Sequence, residues 1–137
     1  MSSINCVLLN NSLQETNNSL EQLNTWTKII DNTSQASDTD MEYSFSSLGV
    51  DVSKINEILL VIRYAFRDNQ ANMINNTFYT KEQLIDSLQN SKALSCQSPY
   101  NSEGYSLFQL LGKGNLNTFA CYYYSSIQSR GYEVWVR

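Results

Sequence analysis

Apolar residues recur at two different intervals along this chain, and the change between them constrains the fold most. From residue 6 to residue 30, Cys6, Leu9, Leu13, Thr16, Leu20, Leu23, Thr27 and Ile30 follow alternating steps of three and four. Polar Asn, Gln, Glu and Ser fill the remaining positions, the pattern of an amphipathic helix with a heptad-like seam. Ile55, Ile58, Leu59, Ile62, Phe66 and Met73 repeat at helical spacing in a second segment, with Ser53 placed as its cap. Near the C-terminus the interval becomes two: Tyr132, Val134 and Val136 face one way, and Glu133, Trp135 and Arg137 the other.

Local signals divide the rest. Thr80-Lys81-Glu82-Gln83 reads as a capping box, with Tyr79 and Leu84 placed for a hydrophobic staple. This predicts a helix over residues 81–91 that buries Leu84, Ile85 and Leu88. Residues 34–49 are rich in Ser, Asp and Thr and read as a loop with a short strand near Tyr43–Phe45. Gly112-Lys113-Gly114-Asn115 and residues 128–131 supply turns between strands over residues 105–111, 118–126 and 132–136. The expectation is an α+β fold: helices over residues 5–33, 53–75 and 81–91 packed on a C-terminal three-stranded antiparallel meander. At 137 residues the chain suits a single domain.

Composition narrows the function classes. The chain has no histidine, which removes the usual general base and the commonest zinc ligand. Its three cysteines, Cys6, Cys96 and Cys121, form no Cys-x-x-Cys pair. They are read as free thiols in a reducing compartment, the cytoplasm, with a Cys96–Cys121 bridge as the alternative. Asp38, Asp40 and Glu42 alternate as a hard cation would require, but Tyr43 and Gly49 replace the glycine and glutamate of a calcium loop. They read as a solvated acidic loop. Gly112-Lys113-Gly114 lacks the remainder of a phosphate loop. The expectation is no catalytic residue, no metal and no cofactor.

Nine basic residues are spread thinly along a chain of net charge −4, which argues against nucleic acid as a ligand. The longest apolar run, Ile58–Ile62, is too short to span a bilayer, and the N-terminus shows no signal-peptide pattern.

Tyr122-Tyr123-Tyr124, with Tyr132 and Trp135, is the most distinctive cluster. In a strand Tyr122 and Tyr124 share a face while Tyr123 points opposite, so at least one tyrosine faces away from the helical layer, where Trp135 would join it across the ladder, with Tyr132 on the same neighbouring strand. Tyr122, Tyr124, Tyr132 and Trp135 are therefore the candidate binding residues, since rigid amphipathic rings suit recognition surfaces. The expected function is a non-enzymatic protein-interaction module of inhibitor, immunity, anti-defence or secretion-accessory type. It would bind a protein partner through this sheet face or through the N-terminal helix, which is also available to a second copy of the chain.

Cys121-Tyr122-Tyr123-Tyr124-Ser125-Ser126 followed by Gly131-Tyr132-Glu133-Val134-Trp135 resembles the last strands of type IV pilin and pseudopilin globular domains. The resemblance covers about 30 residues and omits the apolar pilin N-terminal helix. It implies, as the alternative function, a structural subunit of a pilus, virion or secretion assembly.

Overall fold

A computed structural model describes Asn10, Asn11, Leu13, residues 25–33 and residues 39–137. Its strands are β1 (Thr27–Asn32), β2 (Thr39–Ser44), β3 (Glu57–Ala65), β4 (Met73–Thr80), β5 (Ala93–Gln97), β6 (Ser106–Gly112), β7 (Thr118–Ser125) and β8 (Gln128–Val136). One helix, α1 (Lys81–Asn90), joins β4 to β5. The strands form two antiparallel sheets, ordered β1-β8-β3-β4 and β2-β7-β6-β5. The architecture is a two-sheet sandwich, not helices over a meander.

The second expected helix is instead β3 and β4. Ile58, Leu60 and Ile62 are fully buried and Tyr64 nearly so, which is the alternation of a strand with its core face inward. The sequence disguises it because outward-facing Leu59 and Val61 are also apolar. A continuous run in a central strand, flanked here by β8 and β4, carries no visible period of two. β-branched Ile58, Val61 and Ile62 also fit an extended backbone better than a helix. Of the first expected helix, residues 27–32 form β1, paired with β8, while Asn10, Asn11 and Leu13 are helical. The other positions of the seam lie outside the described residues.

Helix α1 is where the capping box predicts it. The Thr80 side chain accepts from the Gln83 amide at 3.2 Å, and the Gln83 side chain accepts from the Thr80 amide at 2.9 Å. Leu84 and Leu88 are buried between the sheets. Gly112 lies so close to the Ser87 carbonyl that a Cβ would overlap it, which places the end of β6 against the helix backbone.

The expected three-stranded meander is not formed, and residues 128–131, expected as a turn, begin β8. β6 and β7 pair as a hairpin through residues 113–117. After β7, however, the chain crosses between layers over Ser126 and Ile127, and β8 enters the opposite sheet between β1 and β3. Tyr123 anchors this crossing, because its buried hydroxyl accepts the Arg130 and Gly131 amides at 3.0 and 3.1 Å. Tyr132, Val134 and Val136 point together into the core, as their alternation predicts. They meet Phe108, Phe119, Cys121 and Tyr123 from the other sheet.

Candidate functional site

The two sheets bury one face each, so the accessible side chains lie on the two outward faces and along the edges. Tyr122 and Tyr124 alternate with buried Cys121 and Tyr123 and face outward from the second sheet. Tyr132 is fully buried and accepts from the Asn32 amide at 3.1 Å. Burial pushes its phenol well above the ordinary range. Trp135 faces outward from the first sheet, where its indole N–H donates to Glu133 at 3.0 Å. The adjacency reasoned from a meander is therefore absent: the four residues occupy two opposite faces and the core between them.

Other tyrosines join Tyr124. The Tyr124 ring lies 5.3 Å from that of Tyr105, and Tyr105 lies 5.7 Å from Tyr100. Successive ring planes are tilted by 48° and 49°. Tyr105 immediately precedes β6 and sits diagonally across the ladder from Tyr124, since Ser106 pairs with Ser125 and Leu107 with Tyr124. Tyr100 reaches Tyr105 through a tight turn closed by reciprocal bonds between Asn101 and Gly104. Gly104 holds φ at 124°, and a Cβ there would strike the Ser126 side chain. Ser126 in turn accepts from the Tyr105 amide at 3.0 Å and donates its own amide to the Tyr105 carbonyl at 3.0 Å. The turn and the end of β7 are thus locked together, and they fix the three rings as a strip.

The strip is open to solvent: Tyr100 is 74% exposed, and Tyr105 and Tyr124 are half-buried. The hydroxyls of Tyr100, Tyr105 and Tyr124 have no hydrogen-bond partner among the described residues. Tyr122 continues the face toward β2, where Asp40 is its cross-strand neighbour. Asp40 is exposed and has no ion-pair partner among the described residues. Glu42 pairs loosely with Lys113 at 3.8 Å, and Glu103 with Arg67 at 3.6 Å. Sequence reasoning missed Tyr100 and Tyr105. The signal was Asn101-Ser102-Glu103-Gly104 between two tyrosines, a tight-turn sequence that makes its flanking residues neighbours.

The first sheet's outward face is different in kind. Ile74 and Phe78 are 59% and 54% exposed on β4. Trp26 lies 5.7 Å from Phe78, beneath the Arg137 guanidinium at 4.5 Å. Glu133, only 3% exposed, forms an ion pair with Arg63 and lies 3.8 Å from Lys28. Beside β1, an open groove of about 720 Å³ is lined by Ile29, Val50, Asp51, Lys54, Ile55 and Val136 among others. The Asp51 carboxylate is held below its ordinary range by hydrogen bonds from Ser53.

Cys96 and Cys121 are both buried and free, so the alternative bridge is not formed. Burial raises both thiols. Asp38 lies outside the described residues, and among the described residues no three His, Cys, Asp or Glu side chains converge as metal ligands. Nor is any helix among them long and apolar enough to cross a membrane. Comparison of the chain with protein-family models, curated proteins and solved structures returns no match.

Proposed function

We propose that this protein is a non-enzymatic interaction module that binds a protein partner through the tyrosine strip of its second sheet. The observation that carries this reading is the chain of three rings, exposed Tyr100 and half-buried Tyr105 and Tyr124, whose hydroxyls lack partners among the described residues. Tyrosines on a rigid sheet offer large contact area at low cost in side-chain entropy, and each supplies a polar tip for orientation. Such a surface would serve an inhibitor, immunity, anti-defence or secretion-accessory role. The buried free thiols suit a reducing compartment, and we place the protein in the cytoplasm on that ground.

The experiment is photocrosslinking from Glu103, at the tip of the turn, in extract of the native cell. A specific macromolecular adduct is expected, and its yield should fall when Tyr105 and Tyr124 are both replaced by alanine. An adduct indifferent to those changes, or no specific adduct, would overturn the reading.

A second reading, a structural subunit of a pilus, virion or secretion assembly, draws on exposed Ile74 and Phe78 beside Trp26. Such an apolar face is what subunits bury against neighbours. Sedimentation at rising concentration separates the two: self-association lost in Phe78→Ser favours the subunit, and a monomer throughout favours the module.

A further inference from the structure

Resting on the reading of the strip as a protein-binding surface, we infer that its ligand is a proline-rich segment in polyproline II conformation, carrying a basic residue at one end. Five features of the site select this class. The rings lie on the face of a sheet whose backbone groups are already paired within the β7–β6 and β7–β2 ladders. A β-strand laid across this face would find no backbone partners on the inner strands β7 and β6, because strand addition needs a sheet edge, here β2 or β5.

The tilt between successive rings is the second feature. At 48° and 49° the three rings do not share a plane, and on this inference the ligand's rings seat in the two angles between them, one on each side of Tyr105. A sugar ring stacks best on a flat aromatic platform, whereas the puckered rings of proline fill clefts between tilted aromatics. The third feature is the phenol O–H groups of Tyr100, Tyr105 and Tyr124, which have no hydrogen-bond partner among the described residues. A polyproline II backbone makes no internal hydrogen bonds, so its carbonyls remain acceptors for such donors.

Charge and length complete the argument. Beyond Tyr122 the face ends at Asp40, an exposed carboxylate without an ion-pair partner among the described residues. It would hold an arginine or lysine flanking the prolines. From Tyr100 to Tyr122 the strip spans on the order of 15–20 Å, by the two ring separations and the strand rise. At about 3.1 Å per residue, about six residues of polyproline II cover it.

The test is a titration of the isotope-labelled full chain, followed by NMR, with three probes. They are a blocked peptide of eight prolines with an arginine at each end, the same arginines around an eight-residue Gly-Ser segment, and a β-linked glucose hexasaccharide. The proline peptide should saturate, moving the ring signals of Tyr100, Tyr105 and Tyr124, and bind about ten-fold or more tightly than the Gly-Ser peptide. Tyr105→Ala and Tyr124→Ala should each weaken it about ten-fold. Asp40→Asn should weaken it less and reduce its salt dependence. Phe78→Ala, on the opposite sheet, should leave it unchanged.

Tyr105→Phe and Tyr124→Phe keep the rings and guard against loss of folding in the alanine variants. They should retain the angles between the rings while losing the hydroxyl contribution, and the amide spectrum reports whether each variant is folded. No saturation by the proline peptide, equal binding of the Gly-Ser peptide, saturation by the hexasaccharide instead, or indifference to all four tyrosine changes would each overturn the inference. If crosslinking from Glu103 still depends on Tyr105 and Tyr124 while the proline peptide fails, the interaction module stands and only its ligand class falls.

Discussion

The rings of Phe108 and Tyr132 stack 4.2 Å apart with 12° between their planes, one from each sheet. Both side chains are fully buried, and Tyr123 closes on Tyr132 at 5.7 Å from the Phe108 side of the sandwich. This stack joins the two layers. Phe108→Ala should cost about 3–5 kcal/mol through lost burial and the cavity left behind. Tyr132→Phe keeps the stack but removes the acceptor of the Asn32 amide, and should cost about 1 kcal/mol. Urea midpoints of the two variants check the ordering, and an equal loss in both would contradict it.

Glu133 places a carboxylate on the outward face of the first sheet with only 3% of the residue exposed. Its charge is met by Arg63, by Lys28 at 3.8 Å and by the Trp135 indole N–H. Arg63→Met would leave buried Glu133 with the neutral Trp135 indole N–H and the more distant lysine. The expected loss is at the low end of about 3–5 kcal/mol, since the Arg63 side chain is itself 26% exposed. Adding Glu133→Gln should recover much of that loss. Additive effects in the double-variant cycle would mean that the two charges are not coupled.

Alkaline pH should destabilise the fold. Burial raises the Cys121 and Cys96 thiols above the ordinary value of 9.0 and the Tyr132 phenol above 10.0. Unfolding therefore releases these protons at lower pH than the folded state does. The stabilisation is fully present below about pH 9 and declines as pH rises past the unfolded values. Urea midpoints between pH 8 and pH 10.5 should fall, and Cys121→Ala should make the decline shallower. A flat profile in the parent protein would refute the assignment.

Thr80 is the N-cap of α1, and its side chain takes the Gln83 amide. Thr80→Ala should cost about 1 kcal/mol, whereas Thr80→Ser should cost little, because serine keeps the acceptor. Hydrogen exchange at the first-turn amides of α1 resolves the difference.

Legibility in the sequence followed the range of the interactions. The α1 boundary was readable because a capping box is complete within four residues. The β6–β7 hairpin was readable because its turn lies between its strands. The inward face of Tyr132, Val134 and Val136 was readable because alternation is a property of a strand alone. β3 was misread because a central strand with Leu59 and Val61 outward has apolar residues on both faces, and such a run has no period to count. Tyr122 and Tyr124 share the face that alternation predicts, but Tyr124 meets Tyr105 there and not Tyr132 or Trp135.

What the chain dictated by itself is therefore the local grammar: one capped helix, one hairpin turn, and the inward side of its last strand. Tertiary structure decided which sheet β8 enters, and with it which aromatics meet. Ile62 pairs with Tyr132 and Ile30 with Val134 across long stretches of chain. Such pairings are selected by how two apolar faces close over one interior, a condition that no short window of sequence contains. The tyrosine strip is the outward consequence of that closure.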